Sequence, residues 1–343
     1  MFLTVMNVIT GTLWGGSVGS ESERAAVGKE FRHLVAEITD MLGAPNVSDF
    51  FPALARFDLQ GIRRKSDVLK ERFNQIFARI IEQRVSAERA GGEPPAPDFL
   101  EYMLKLEKEG GDGKASFTMT NVKALLMMVV GGTETTSNTV EWAMAELMQK
   151  PELLAKVRQE LDAVVGRDAV VEESHLPQLH YLHAVLKETL RLHPALPLMV
   201  PHCPSADATV GGYRVPAGCR VFVNVWAIMR DPAVWKDPQE FIPERFLGGG
   251  GAGGEGEGRK WDFNGSEMDY LPFGSGRRIC AGIAMADRMT AYSLAMLLQA
   301  FDWELPAGAR LELDEKFAIV MKKATPLVAV PTPRLSKPEL YAA

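Results

Sequence analysis

The 343-residue sequence contains few cysteines, which are Cys203, Cys219 and Cys280. Three thiols cannot all pair, and their spacing follows no disulfide framework, so we expect a reducing, cytosol-facing environment. The cysteines also lack the C-x-x-C spacing of structural zinc sites, which argues against such a site. There is no excess of basic residues, and a net charge of −6 gives no support to nucleic-acid binding.

The sequence also lacks a hydrophobic run long enough to span a membrane. The most apolar candidate, residues 1–16, is too short, contains Asn7 and has no basic start. It is similar to a poor signal peptide, but no cleavage site follows, so we interpret it as a buried helix. Apolar residues make up 46% of the chain and charged residues 24%, which is typical of a soluble globular protein of one large domain or two ordinary ones.

What the sequence does contain is mostly helical periodicity. Apolar spacing, caps and terminal prolines predict helices over 21–42, 66–89, 120–150, 152–165 and 181–193. Short β segments are predicted from 197 to 225, and a β hairpin over 317–331. Residues 247–258 are almost all glycine and predict a disordered surface insertion. The expected fold class is therefore mainly α with small β sheets.

One run near the C-terminus, residues 273–282, reads FGSGRRICAG. It places Cys280 between a glycine-rich turn, which can approach a flat ligand closely, and a predicted helix over 283–300. The unpaired N–H groups at the start of that helix favour a thiolate, and Arg278 can donate charge-assisted hydrogen bonds to a carboxylate at the edge of a ligand. These are the requirements of an axial haem ligand, whereas a lone cysteine would more simply be an ordinary buried thiol.

Two further motifs precede this run. Residues 131–137, GGTETTS, weaken the interior of the predicted long helix, which indicates a kink where freed carbonyls and hydroxyls hold water. Alternatively, Thr133 caps a second, separate helix. Glu188 and Arg191 share one helix face, which alone would indicate a surface ion pair, but the sequence Pro-Glu-Arg-Phe follows at 243–246.

The order of these motifs, E-x-x-R, then P-E-R-F, then the cysteine loop, resembles that of the cytochrome P450 family. The resemblance runs the length of the chain and implies a cytochrome P450 fold with haem b as cofactor, its iron bound by Cys280. The other residues that the resemblance places at the haem are Phe273, Gly274 and Gly282 in its cradle, with Arg278 and His202 at its propionates. Alternatively, His202 is a strand-end histidine with a satisfied hydrogen bond and no role at the haem.

The resemblance also assigns roles away from the haem loop. Thr135 would hold dioxygen and its water, and Glu134 would feed the protons that cleavage of the O–O bond requires. Glu188, Arg191 and Arg245 would form a buried charged triad, structural rather than catalytic, whose disruption leaves an uncompensated charge. The residues expected to line the substrate pocket are Val130, Gly131, Leu198, Met199, Val200, Ile319 and Val320.

Residues 43–57 form a predicted loop with clustered aromatic residues between two long helices. Its phenylalanines could simply plug the core. The position resembles the connection between helices F and G of the family, which lines substrate entry and dips into the membrane surface. Both interpretations stay open at this point.

The implied function is a haem-thiolate monooxygenase of the plant microsomal type, similar to terpenoid and flavonoid hydroxylases. It would insert one oxygen atom of O2 into a small apolar substrate with electrons from NADPH-cytochrome P450 reductase. The resemblance places such an enzyme at the cytosolic face of the endoplasmic reticulum membrane. A member that rearranges hydroperoxides without oxygen is less expected, because Thr135 and Glu134 are present.

The sequence begins in the middle of the family pattern. It lacks the N-terminal anchor, the proline-rich hinge, the W-x-x-x-R helix that contacts the haem propionates, and the early β sheet. We therefore expect residues 1–343 to form a single partial cytochrome P450 domain, with weak haem incorporation, aggregation and a cytosolic or peripheral location if made as given. The alternative function is a non-catalytic remnant with impaired haem binding.

Overall fold

The computed structural model describes residues 1–15, 21–89, 98–111, 116–248 and 261–341. Within these ranges the chain forms eleven α-helices and three two-stranded antiparallel sheets, so the predicted class, mainly α with small β sheets, is confirmed. Most of the predicted glycine-rich insertion lies outside the described residues. Contacts divide the chain into two compact units, Met1–Thr135 and Thr136–Ala343. A single domain over 1–343 stays a prediction.

The first unit is helical throughout its described part. Its helices are α1 (Phe2–Trp14), α2 (Glu21–Gly43), α3 (Val47–Phe50), α4 (Ile62–Arg89), α5 (Phe99–Lys108), α6 (Met119–Leu126) and the first turns of α7 (Met128–Gln149). The α1 helix buries one face, where Trp14 packs against Phe31 and Phe77 with ring centroids 6.3 and 6.2 Å apart. Its other face exposes Leu3 and Val8, so α1 is amphipathic rather than wholly buried.

A buried ion pair links three helices of the first unit. Arg84 of α4 donates hydrogen bonds to Asp98 and to the Trp14 carbonyl at the end of α1. Asp98 also caps α5, because its side chain accepts a hydrogen bond from the backbone N–H of Glu101. The pair therefore fixes α1 and α5 against α4, since a buried charge must keep its partner.

The second unit contains the rest of α7 together with α8 (Pro151–Val164), α9 (His180–Leu192), α10 (Val225–Ile228) and α11 (Ile283–Ala300). Pro151 stands at the first turn of α8, where a missing N–H costs no hydrogen bond. Helices α7, α8, α9 and α11 share a core of aliphatic side chains that includes Leu147, Leu161, Val185, Leu294 and Leu298, none more than 1% exposed.

The predicted helix over 120–150 is interrupted, but not where the sequence predicted. The break is at Met127, between α6 and α7, whereas Gly131 and Gly132 lie inside α7. There the hydroxyls of Thr133 and Thr135 donate to the carbonyls of Val129 and Gly131, both at 2.6 Å, and so hydrogen-bond within the helix. The expectation that Thr133 caps a separate helix is wrong, because Thr133 lies inside α7 and not before its first turn.

The sheets are short hairpins and edge pairs. Strand β1 (Ala208–Val210) pairs with β2 (Tyr213–Val215), β3 (Phe301–Glu304) with β6 (Val330–Pro333), and β4 (Glu315–Lys316) with β5 (Lys322–Lys323). The single hairpin predicted over 317–331 is wrong, because residues 317–321 connect β4 to β5, while β6 pairs with β3. Pro331 and Pro333 of β6 have no N–H to donate, which suits a two-stranded edge pair.

Candidate functional site

The cysteine loop folds as a tight turn just before α11. Gly274 and Gly276 adopt φ angles of +74° and +64°, a left-handed conformation in which a larger side chain would be strained. The backbone N–H of Cys280 donates to the Phe273 carbonyl at 3.0 Å and closes the loop. A side chain at Gly274 would also press on Met199, whose sulfur lies 3.3 Å from the position that a Cβ would take.

The sulfur of Cys280 is exposed and already carries one N–H donor. The backbone N–H of Gly282 points at the Sγ atom from 3.3 Å, and α11 begins at the next residue. The expectation of an ordinary buried thiol is therefore wrong. An accessible sulfur that receives an N–H at the start of a helix is a group that would suit binding of a haem iron.

Cys203 is also exposed and Cys219 is partly exposed, so exposure alone does not single out Cys280. The Cys203 thiol faces its neighbour's carbonyl, that of Pro204, at 3.9 Å. A carbonyl oxygen accepts a hydrogen bond from a thiol, whereas an N–H group donates one to the sulfur. Local polarity therefore distinguishes the sulfur of Cys280 from that of Cys203.

The two basic residues predicted to contact haem propionates are both exposed in the second unit. Arg278 ends the short 3-10 turn Gly276–Arg278 within the cysteine loop. His202 exchanges two backbone hydrogen bonds of 2.9 Å with Val221, as a strand-end residue would, and it is exposed. Both side chains can therefore approach an anionic group, and their propionate contacts stay predictions.

Glu188, Arg191 and Arg245 meet in the core of the second unit. The Arg191 guanidinium donates to both carboxylate oxygens of Glu188, at 2.7 and 2.8 Å, and Arg245 donates to the same carboxylate at 3.3 Å. Glu188 and Arg191 are fully buried and Arg245 is 7% exposed. Arg191 also donates to the carbonyls of Met229, Pro238 and Glu240. The three side chains thus tie α9 to residues 229–246.

An aromatic cluster that the sequence did not predict connects α9 to the segment just before the cysteine loop. Tyr270, three residues before Phe273, is buried and donates its hydroxyl to the Lys187 carbonyl of α9 at 2.9 Å. Burial raises the pKa of Tyr270 well above its ordinary value. Its ring lies in a cluster with Trp235, Trp261 and Phe246. The density of aromatic residues between 235 and 273 was the signal available in the sequence.

The predicted catalytic pair belongs to the first unit, on α7. Glu134 is 8% exposed, and Thr135 is half-buried with its hydroxyl on the Gly131 carbonyl. Gly132 lies between them and the start of the helix, and Ile9 of α1 packs so closely that a Cβ at Gly132 would stand 2.9 Å from it. The glycine therefore permits a close helix contact beside the pair. Of the predicted pocket residues in this unit, Val130 is buried and Gly131 exposed.

The remaining predicted pocket residues lie on two adjoining segments of the second unit. The backbone N–H of Met321 donates to the Ala195 carbonyl at 2.9 Å, which joins the segment after α9 to the β4–β5 connection. Met199 adopts φ +54°, an uncommon conformation for a residue with a side chain. On these segments Val320 is buried, Val200 is exposed, and Leu198, Met199 and Ile319 are half-buried.

Residues 43–57 form short helices rather than an open loop. They comprise the end of α2, α3, and a 3-10 helix over Pro52–Phe57. Phe50, Phe51 and Phe57 are 73%, 61% and 56% exposed, so the expectation that these rings plug the core is wrong. Within the described ranges, no helix combines the length and the apolar character needed to cross a membrane.

Comparison with known proteins agrees with these features. The family model of cytochrome P450 matches residues 1–330. The chain is 41% identical to a flavonoid 3′-monooxygenase of Crocosmia x crocosmiiflora, over 92% of this chain and 61% of that protein. It is 40% identical to an iridoid oxidase of Catharanthus roseus, over 90% and 59%. It thus spans about three fifths of the length of these curated relatives.

Solved structures give the same result for the fold. A zebra fish cytochrome P450 solved with abiraterone superposes with a TM-score of 0.74 at 29% sequence identity. The superposition covers 97% of this chain and 70% of that one.

Proposed function

The chain belongs to the cytochrome P450 family, and on that premise we propose that it acts as a haem-thiolate monooxygenase on a small apolar substrate. Haem, with its iron, is the cofactor of this family. The observation that carries the proposal is the exposed sulfur of Cys280, which receives the Gly282 N–H at 3.3 Å. A thiolate in this position supplies electron density to a haem iron, and bound haem would provide the oxygen chemistry.

In this proposal, one set of residues binds the cofactor and another set delivers protons. Gly274 and Gly282 keep the loop thin against a flat ring, and Arg278 and His202 pair with propionates. Glu134 supplies protons from a buried position. The Thr135 hydroxyl, which donates to the Gly131 carbonyl, exchanges that helix bond for one to dioxygen or to water. A hydroxyl beside a carboxylate is a short proton relay.

For the substrate we propose a phenylpropanoid-like or terpenoid-like molecule. The curated relatives include enzymes named for flavonoids and for iridoids. The residues proposed to contact the substrate are apolar, in accord with a ligand that carries few polar groups. Hydroxylation of such a molecule belongs to secondary metabolism.

The partners we propose are NADPH-cytochrome P450 reductase and the surface of a membrane, which places the protein at the cytosolic face of the endoplasmic reticulum. The membrane contact would use α3 and the following 3-10 helix. Gln60 clamps the start of this segment by bonding the Pro45 carbonyl at 2.8 Å and the Val47 N–H at 2.7 Å. Its exposed phenylalanines are therefore presented on an ordered support.

A carbon monoxide difference spectrum of the reduced protein tests the proposal. We expect the chain reconstituted with haem to show the band of a thiolate–carbon monoxide complex, and Cys280→Ser to lose it. Cys203→Ser and Cys219→Ser are the matched controls and should keep it. Loss of the band in either control, with Cys280 intact and the fold preserved, would contradict the assignment.

Turnover is measured on the same preparation. With reductase, NADPH and a flavanone such as naringenin, a hydroxylated product is expected. A folded chain that shows neither the thiolate band nor product would support the alternative, a non-catalytic member of the family with impaired haem binding.

A further inference from the structure

Four ionisable side chains meet at the C-terminal end of α9 in the second unit, outside the site described above. His193 is 6% exposed and lies between two carboxylates. Its Nε2 atom is 2.8 Å from Glu146 of α7, and its Nδ1 atom is 3.0 Å from Glu315 of β4. Arg230 lies 3.4 Å from the same Glu315 oxygen. We call these four residues the His193 cluster.

The His193 ring bridges two carboxylates. Each of its two nitrogens lies within hydrogen-bond distance of a different glutamate. The ring also stacks on Trp142, with centroids 3.9 Å apart and planes 4° apart. It is therefore held on both edges and on one face.

Two lysines also lie beside the cluster. Lys150 of α7 stands 4.0 Å from Glu146, and Lys323 of β5 lies over the Trp142 ring at 5.0 Å. Burial raises the pKa of Glu315, but the hydrogen bond from His193 and the charges of His193 and Arg230 outweigh it and hold that pKa below its ordinary value. Glu315 is therefore an ionised partner for the ring.

The His193 cluster lies at the start of the two chain segments that are proposed to contact the substrate. His193 directly precedes residues 194–200, and Glu315 stands two residues before the connection 317–321. Trp226 adds a third link, because its backbone N–H donates to the Pro197 carbonyl at 3.1 Å and its indole N–H to Glu315 at 3.4 Å. One histidine ring therefore joins the two segments to α7.

The β4–β5 hairpin needs such a link. It has only two residue pairs, Glu315 with Lys323 and Lys316 with Lys322, and so short a hairpin is not stable by itself. Asn138 of α7 supports its far end by donating to the Met321 carbonyl at 3.0 Å. At the near end the Ala324 N–H donates to the Asp314 carbonyl at 2.7 Å, and the shortest side-chain contact of Glu315 is the one with His193.

We propose that His193 is a positioning residue for substrate specificity, whose ring bridges Glu146 and Glu315 and so holds residues 194–200 and 317–321 in register against α7. It does not touch substrate or cofactor in this assignment. The inference rests on the proposed function, in which Leu198, Met199, Val200, Ile319 and Val320 contact the substrate. Loss of the ring should loosen both segments and change which substrate carbon is presented for oxidation.

Amide hydrogen exchange on the whole chain tests the positioning without any turnover. His193→Gln removes the ring that bridges the two glutamates and stacks on Trp142, so the amides of Met199 and Met321 should exchange at least about tenfold faster, while those of α8 keep their rates. His180→Gln, an exposed histidine at the other end of α9, is the matched control and should change neither. Unchanged exchange at both amides, or equal acceleration throughout the second unit, would overturn the proposal.

A second variant covers the case in which His193→Gln does not fold. Glu315→Gln removes only the charge of a carboxylate whose side chain is 27% exposed, and the same two amides should again exchange faster. Protection as in the unaltered chain would refute the role of the bridge.

Product analysis then tests specificity. With reductase, NADPH and naringenin, the ratio of hydroxylated isomers should change in His193→Gln and stay constant in His180→Gln. An unchanged ratio despite faster exchange refutes the specificity role. Absence of product from the unaltered chain counts against the proposed monooxygenase function only, because the exchange rates still decide whether His193 positions the segments.

Discussion

Single atoms carry the chemistry proposed for this chain. The sulfur of Cys280 differs from that of Cys203 in facing an N–H rather than a carbonyl. The hydroxyl of Thr135 differs from that of Thr133 in being only half-buried, although both donate to a carbonyl four residues earlier at 2.6 Å. The structure adds these local differences to the sequence motifs that single out Cys280 and Thr135.

The two threonines allow a matched test of proton delivery. Thr135→Ala should lower the amount of product formed per NADPH consumed by about 100-fold, which is the lower end of the rate contribution of a positioned proton donor. The remaining reducing equivalents should appear as peroxide. Thr133→Ala removes the same kind of helix hydrogen bond and should keep its product yield. Product and peroxide are measured together; equal losses in both variants would mean that Thr135 acts only within the helix.

At the scale of the elements, α9 is the organising part of the second unit. Its Glu188 and Arg191 hold residues 229–246, its Lys187 carbonyl receives Tyr270 before the cysteine loop, and its C-terminal end leads into His193. Buried charges of this kind are costly when one partner is removed. Loss of one partner should therefore weaken the contacts that α9 makes with residues 229–246.

Glu188→Gln should lower the free energy of unfolding by about 3–5 kcal/mol, because it leaves two buried guanidinium groups without a charged partner. Lys156→Gln is the control, since Lys156 is about half exposed in its ion pair with Glu244, and such pairs contribute only about 0–1 kcal/mol. Urea unfolding of both variants measures the difference. Comparable shifts would show that the triad is not a main support of the fold.

The Pro243–Phe246 turn should also make stability depend on pH. Burial raises the pKa of Glu244, but hydrogen bonds from Lys156 and Tyr181 outweigh it and hold the pKa below its ordinary value of 4.5. A lowered pKa in the folded state stabilises above the ordinary value and loses that effect as the pH falls through the folded pKa.

Glu244→Gln should therefore lose less stability than the unaltered chain when urea unfolding is repeated at decreasing pH below 4.5. Glu240→Gln, an exposed glutamate 3.8 Å from Lys150, is the control and should follow the unaltered chain. Identical pH profiles for all three proteins would remove Glu244 from the acid response.

At the scale of the whole molecule, the chain consists of two compact units with different proposed tasks. The first carries Glu134, Thr135 and the exposed phenylalanines, and the second carries Cys280, the buried triad and the His193 cluster. Large exposed aromatic groups clustered on one segment mark a binding surface. A lipid surface is the partner proposed for them.

Replacing Phe50, Phe51 and Phe57 together by serine should weaken binding to phosphatidylcholine vesicles by about 100-fold, because each ring that enters the apolar region contributes about 1 kcal/mol or more. The control replaces Tyr213 and Phe222, which are 79% and 54% exposed on the second unit. Vesicle co-sedimentation measures both. Equal loss of binding in the control would indicate nonspecific adsorption through any exposed ring.

Sequence by itself determined the features that depend on local pattern. The helix periodicity, the spacing of Glu188 and Arg191, and the glycine-rich approach to Cys280 are set by neighbours along the chain. For the same reason the fold class and the family followed from motifs. The local weakness of residues 131–137 did not predict the position of the helix break, because Gly131 and Gly132 lie inside α7.

Tertiary structure alone decided what depends on distant residues. Strand β6 pairs with β3 rather than with residues near 317, the phenylalanines at 50, 51 and 57 point outward, and His193 lies between glutamates 47 and 122 positions away. Pairing, exposure and charge partners arise from packing between segments far apart in sequence, and no local periodicity encodes them.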